Sequence, residues 1–445
     1  MSRYITFNGM KVMSLREESD GAEALPNYMA GSGSIATASG NPTGYVPSSG
    51  PLATGAVAST TRVRMQVVVV SGAAQLEAYI SAWEDLAANA LEANIFYEPW
   101  VFLPALKSFG GSVKLQFVFV FAASRSAQSS PLLCGFFPLE CSRSYRGLPT
   151  KVLSLWKHAH CFLCTPLVRA GYEGECLESL FQWLERDSRC GLVEFGSIGA
   201  DGPFEQALSR MLQEQPRRAV FSSDCYERAI FRPAESADAY LRAAISRSHR
   251  KDHNRRRKRL SESGQFECLA SGPDDDIEAW IEDFLRLEAG GWKGREGTAL
   301  ASKDSDRTFF ASAMREAFKR GRLMMLALYL DGEPIAIKCN FSAGEGAFAF
   351  KIAFDESHAH FSPGMLLEIE NIKRLHEMPE VQWMDSCAVP NHFMINRLWP
   401  DRRLIRSVLI ATRRGSMSFI VSLLPYLRSI SRALRGRGLR RSPDA

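Results

Sequence analysis

From Arg64 onward, apolar runs of strand length alternate with segments of helical period. The alternation breaks once, at Phe231-Arg-Pro-Ala-Glu-Ser236, and then starts again. This order constrains the chain more than any other feature, because strands separated by helices pack as a sheet covered by helices. In the first run Met65–Val70 reads as a buried strand, and Leu76, Tyr79, Ile80, Trp83 and Leu86 keep helical spacing. Strands are expected at 113–121, 132–139 and 191–195, and helices at 177–186 and 204–213. In the second run a helix starts at Ala237 and continues through a basic block, followed by a strand at 265–270 and helices at 277–288 and 307–320. Strands at 323–330 and 333–342 flank Asp331-Gly332, a pair suited to the positive φ angles of a tight hairpin turn. A strand at 347–354, a helix at 364–377 and a last core strand at 381–386 complete the pattern. The expectation is an α/β chain of two similar halves, residues 63–232 and 233–412, each a mixed sheet flanked by helices.

Ala24–Thr61 holds no charged residue and is dominated by Gly, Ser, Pro, Ala and Thr. Such a stretch buries too little apolar surface to offset its chain entropy, so residues 1–62 read as a disordered leader. Elsewhere hydrophobic residues at 46% and charged residues at 23% exclude fibrous and wholly disordered classes. The net charge of +5 is unevenly placed. Arg242–Leu260 carries nine Lys or Arg against Asp252, and Arg413–Ala445 carries eight Arg against Asp444, so the remainder is net acidic. The ten cysteines are scattered, as buried thiols in a reducing compartment would be. No window approaches the ~18 apolar residues of a spanning helix, and the first 20 residues lack a continuous apolar signal core. A cytoplasmic protein is expected.

In the tail, residues 413–445, Ile420, Leu423, Leu424, Leu427, Ile430 and Leu434 keep helical spacing, with Arg428, Arg432 and Arg435 alongside. Two outcomes suit that pattern equally: peripheral contact with anionic lipid, or docking on the protein's own surface.

The stretch richest in chemistry runs from Phe348-Ala-Phe-Lys-Ile-Ala-Phe-Asp355 through Glu-Ser-His-Ala-His-Phe361 to Ser362-Pro-Gly-Met-Leu-Leu-Glu368. It reads as strand, loop and helix, with Pro363 and Gly364 at the helix start, where unpaired N–H groups suit a pyrophosphate. His158, His160, Cys161 and Cys164 invite a zinc reading, but the single Cys-x-x-Cys lies in an apolar, strand-like run whose alternate side chains point apart. Buried thiols in a sheet are expected there, and no metal.

These segments, together with Trp156-Lys-His-Ala-His-Cys-Phe-Leu-Cys-Thr-Pro-Leu167, Leu287–Leu300 and Asp385-Ser-Cys-Ala-Val-Pro-Asn-His392 on to Trp399, resemble the GNAT-type acetyltransferases of the CelD/BcsL group, linked to bacterial cellulose and exopolysaccharide synthesis. The resemblance spans about residues 65–412. It implies two GNAT-like halves, similar to the FemABX peptidyltransferases, with acetyl-CoA or another acyl-CoA as co-substrate and an amine or hydroxyl as acceptor. The usual pyrophosphate loop of the wider superfamily is absent, and His360-Phe-Ser-Pro-Gly364 stands in its place. By that position Ile352, Ala353, Phe361, Ser362, Pro363, Gly364 and Met365 would hold the cofactor.

Acyl transfer from a thioester needs a proton acceptor for the attacking group, oxyanion donors and an acid for the thiolate. Glu288, Asp385 and His392 are the general-base candidates, and amides near Ile352 and Ala353 the oxyanion donors. Trp292, Lys293 and Arg295, set among glycines, suit a substrate loop with an aromatic floor. No serine or cysteine stands in a nucleophile arrangement with His and Asp, so direct transfer in a ternary complex is expected. The basic block at 247–259 offers a phosphate-binding face for CoA, a nucleotide-linked sugar or, in a FemABX-like alternative, aminoacyl-tRNA. A non-catalytic scaffold of a polysaccharide-synthesis complex is the remaining alternative.

Overall fold

The computed structural model describes residues 4–7, 10–13, 63–123, 130–215, 218–413 and 417–425. The chain divides into two units, residues 1–60 and 61–445. In the first, Tyr4–Phe7 pairs antiparallel with Met10–Met13. The remainder of the expected leader lies outside the described residues.

The second unit is organised by one sheet of thirteen strands. Its first half runs β1 (Met65–Val70), α1 (Ile80–Ala88), α2 (Pro99–Phe109), β2 (Leu115–Ala122), β3 (Leu132–Ser142), β4 (Val152–Leu155), β5 (Leu167–Val168), α3 (Glu173–Arg186), β6 (Leu192–Gly199), α4 (Pro203–Gln213) and β7 (Val220–Phe231). The second half runs α5 (Ala237–Ala244), α6 (Arg247–Glu262), β8 (Phe266–Ala270), α7 (Ile277–Gly290), α8 (Trp292–Arg295), α9 (Asp304–Lys319), β9 (Leu323–Leu330), β10 (Glu333–Ala343), β11 (Gly346–Phe354), α10 (Pro363–His376), β12 (Trp383–Asp385), α11 (Phe393–Leu398) and β13 (Asp401–Ala411). The strand order is β8-β9-β10-β11-β12-β7-β13-β6-β4-β3-β2-β1, with β5 added on β3. Only β11 with β12 and β4 with β6 pair in parallel.

The turn Asp331-Gly332 has φ of 53° and 81°, the two positive values that a tight hairpin needs. Two expectations are corrected. Residues 381–386 are not the last strand: β13 follows, and it returns to the first half between β6 and β7. Arg402, Arg403 and Arg406 interrupt its apolar alternation, which hid it. The helix from Ala237 does not continue through the basic block either. It ends at Ala244, Ile245 is extended, and Ser246 caps a new helix by accepting from His249 N.

Packing follows the local patterns. Asp276 caps α7 by accepting from Glu278 N at 3.0 Å, and Trp280, Ile281, Phe284, Leu285 and Glu288 form the buried stripe of that helix. Helix α7 and α9 cover one face of β9–β11 and α10 covers the other, with Leu366 and Leu367 packed on Leu328 and Ala336. Residues 417–425 are helical, and Val421 is buried against Leu192 and Leu409, so this part of the tail docks on the protein's own surface. The remainder of the tail beyond residue 425 lies outside the described residues. Among the described residues, no helix is long and apolar enough to cross a membrane.

Candidate active site

The sheet opens in the middle. Strand β11 pairs with β12 only from Gly346 to Phe348, opposite Trp383 to Asp385, and then runs on to Phe354 with no strand on that side. A β-bulge drives the two apart: Cys339 faces Lys351 and Asn340 faces Ala349, leaving Phe350 as the extra residue. An extra residue bends its strand and shifts the side-chain alternation by one. Ile352 and Phe354 therefore pack towards α10, while Phe350 and Lys351, though adjacent, both face the α7/α9 side.

The α10 side carries the expected cofactor residues. Ser362 sits in the left-handed region (φ 56°, ψ 54°), and its side chain caps none of the first amides of α10. Pro363 occupies the first helical position and has no N–H, and Met365 N and Leu366 N both turn back to Ser362 O at 3.0 and 3.1 Å, so the Gly364 N–H is what this turn leaves for a ligand. The loop before it is held from two directions. Arg256 of α6 donates to His360 O at 2.8 Å and to Ser362 Oγ at 2.9 Å, which brings the basic helix to the helix start. Glu356 accepts from Trp292 N at 2.7 Å and from Arg295 at 2.6 Å, which brings the expected substrate loop to the same place. A Cβ at Gly364 would lie 3.5 Å from Phe354, 3.7 Å from Met394 and 3.9 Å from Ile352, in ordinary contact and aimed at the opening. His392 caps α11 there, and burial lowers its pKa below the usual histidine value.

The other face carries a cluster of polar and aromatic side chains drawn from both halves. Lys351 Nζ lies 5.4 Å from the centre of the Phe162 ring and 5.5 Å from that of Phe350. Glu288 accepts from Lys293 Nζ at 2.6 Å and from Leu300 N at 2.8 Å, so the substrate loop closes back on α7. His160 Nε2 meets Asp306 at 3.0 Å, and His160 stacks on Phe309 while His158 stacks on Phe109. Burial pushes both histidines down, and at His160 the Asp306 carboxylate opposes that shift. Asp306 lies in the first turn of α9, where a negative charge is favoured.

Asp385 occupies a different setting. Its side chain is 0% exposed; Oδ2 accepts from Arg228 at 2.6 Å and Arg403 at 3.0 Å, and Oδ1 accepts from Cys387 N at 2.9 Å. Burial alone would raise its pKa, but the two guanidiniums outweigh burial and hold it below the usual carboxylate value. A carboxylate this enclosed has no free oxygen for a substrate proton, so the expectation of Asp385 as a base is corrected on geometry. Cys161 and Cys164 are buried with sulfurs 3.7 Å apart, but in a loop rather than in a sheet. Among the described residues, no cluster of three metal-ligating side chains occurs.

Glu288 is thus brought to Lys293, and Trp292 and Arg295 to the cofactor loop, while Asp385 stands apart. Sequence reading passed over Lys351, Asp306, Arg228 and Arg256. Arg256 carried a signal in the basic block; Lys351 carried none, because only the bulge turns it inward. At the other end of β11 lies a cavity of about 990 Å³ between the halves, lined by Trp100, Trp383, Glu92, Glu98, Arg322 and Arg403.

Comparison with known proteins agrees with this geometry. Residues 247–393 match the family model for an acetyltransferase (GNAT) domain. No curated protein matches the sequence. Among solved structures, FemX is similar with a TM-score of 0.50 at 10% identity, over 74% of this chain and 95% of its own. A protein of unknown function from Bacteroides thetaiotaomicron covers 75% of this chain and 97% of its own, at 13% identity and a TM-score of 0.47. A tandem GNAT protein from the clavulanic acid pathway covers 79% and 100%, at 15% identity and 0.38. At 10% identity the likeness to FemX concerns fold alone, a mixed α/β chain built on one large sheet flanked by helices.

Proposed function

We propose that this chain transfers an acyl group, acetyl in the simplest case, from acyl-CoA to an amine or hydroxyl acceptor. The observation that carries this reading is the break in the sheet. The bulge at Phe350 lies where β11 parts from β12 beside the start of α10, which suits a slot for a pantetheine arm with the Gly364 N–H at its end for pyrophosphate. The amide of Ile352 faces the open edge of β11 as a donor for the thioester oxygen, while that of Ala353 is turned to β10, and Phe361 to Met365 close over the phosphates with Arg256 behind them. The acceptor enters on the opposite face, at the cluster of Glu288, Lys293 and Lys351, with Trp292 and Arg295 at its edge. In this scheme Glu288 fixes Lys293, His392 borders the slot, and Asp385 holds the halves together instead of moving a proton.

A second reading has its own observation. The exposed basic face of α6 adjoins the α10 start through Arg256, an arrangement that also suits the phosphates of an aminoacyl-tRNA donor. The link to exopolysaccharide or cellulose synthesis, with the tail at the inner face of the membrane, belongs to the proposal as well. The test is incubation of the full chain with acetyl-CoA and a panel of amines and amino sugars, reading free thiol. Acceptor-dependent thiol release that survives nuclease treatment supports acyl-CoA as donor. Absence of release, with transfer from charged tRNA that nuclease abolishes, favours the second reading.

A further inference from the structure

Resting on the acyl-CoA reading, we propose that Lys351 is the proton acceptor for the attacking group and that this group is a primary amine. The bulge places Lys351 on the acceptor face directly after Phe350, at the point where β11 leaves β12. Its Nζ hangs over the Phe162 and Phe350 rings, one from each half of the chain. Among the described residues, no carboxylate comes within ion-pair distance of it. Glu288 is engaged by Lys293 and Asp306 by His160, so neither neutralises Lys351 directly.

The charged and titratable groups around it are Glu288 on α7, Lys293 on α8, Asp306 on α9, His158 and His160 on the first-half loop, Cys387 after β12, and Cys339 across the β10 register. Burial is the main force on the Lys351 ammonium. Lys293 adds to it, Glu288 and Asp306 oppose it, and the pKa is pushed down to about 8. An amine poised near working pH is a competent base. It is matched to an incoming ammonium, whose own acidity is within reach, and poorly matched to a far less acidic hydroxyl.

The step balances as follows. Lys351 Nζ takes one proton from the acceptor ammonium, and the freed lone pair forms a C–N bond to the thioester carbonyl carbon. The C–S bond breaks with its electron pair on sulfur. The second amine proton passes to that thiolate, and Lys351 returns its proton to water.

The test uses the full chain in two arms. Trace labelling with acetic anhydride across pH, read by mass spectrometry at Lys351 without acetyl-CoA, should give a reactivity midpoint near pH 8. In the second arm, Lys351→Met and Lys351→Arg should bind acetyl-CoA as the wild type does but lose ~10²–10⁴-fold in transfer to a primary amine. Both should retain transfer to hydroxylamine, which is already neutral at pH 7. A midpoint in the ordinary lysine range, or Lys351→Arg with full amine transfer, overturns the proposal. Failure of the wild type to bind acetyl-CoA overturns the acyl-CoA reading and this inference with it, and is distinguished by the binding measurement itself.

Discussion

Arg228 donates to Asp385 across 2.6 Å, with side chains only 2% and 0% exposed, and its other terminal nitrogen donates to Phe162 O at 2.6 Å. One guanidinium thus ties the end of β12 to the loop that supplies Phe162 to the cluster around Lys351. Arg403 of the returning strand β13 completes the group.

Removing the carboxylate leaves buried Arg228 without its carboxylate partner and Arg403 with Glu92 alone. Asp385→Ala should lose about 3–5 kcal/mol in urea unfolding, the usual cost of leaving a buried charge without its partner. The pH dependence follows from the lowered pKa of Asp385. A carboxylate depressed in the folded state contributes its full stability above the ordinary carboxylate range and loses it as pH falls through the folded value. Wild-type stability should therefore drop on acidification below that range, and the drop should be smaller in an Asp385→Asn/Arg228→Met double variant. Equal acid sensitivity in both would contradict this assignment.

Arg256 acts on the loop, not on the core. Arg256→Ala removes the bonds to His360 O and Ser362 Oγ, so the turn before α10 loses its outer support. Stability should change by less than about 1.5 kcal/mol, because Arg256 is partly exposed and a single hydrogen-bonding side chain contributes modestly. Affinity for acetyl-CoA should fall about tenfold, measured by calorimetry, and Arg256→Lys should recover only part of it, since an ammonium lacks the planar fork.

Much of the fold was legible in the sequence, and the exceptions have physical causes. Asp331-Gly332 announced its hairpin because two successive positive φ angles leave few residue choices. Glu288 stood out because it lies in the Leu287–Leu300 motif at the end of an expected helix. By contrast, β13 reads as a polar basic stretch, and its neighbours β6 and β7 lie nearly two hundred residues earlier. Lys351 in an aromatic strand reads as an outward position under strict alternation, and the bulge that reverses it depends on the register between β10 and β11. Asp385 looked catalytic because an acidic residue at a strand end commonly is; its two arginines come from other strands, Arg228 on β7 157 residues earlier and Arg403 on β13 18 residues later.

Glu288 and Lys293 should behave as a unit. Glu288→Gln keeps an oxygen for Leu300 N but loses the ion pair to Lys293. In a double-mutant cycle with Lys293→Met, amine transfer should show a coupling of ~0.5–3 kcal/mol. Additive effects would separate the two residues.

Gly346 is required by close approach. A Cβ there would overlap the Trp383 ring, so Gly346→Ala should cost about 1–3 kcal/mol through overpacking at the one place where β11 and β12 pair. In a Trp383→Leu background that cost should shrink, as thermal melts would record.

The most direct measurement of the central claim is calorimetric titration of the full chain with acetyl-CoA, beside Gly364→Leu. The substituted Cβ meets only ordinary contacts, but the further carbons of leucine press on Ile352, Phe354 and Met394 at a buried position, so a thermal melt accompanies the titration to establish that the variant is folded. The account predicts saturable binding to the wild type and at least hundredfold weaker binding to the variant. Equal binding by both, or none by either in a folded protein, would contradict it.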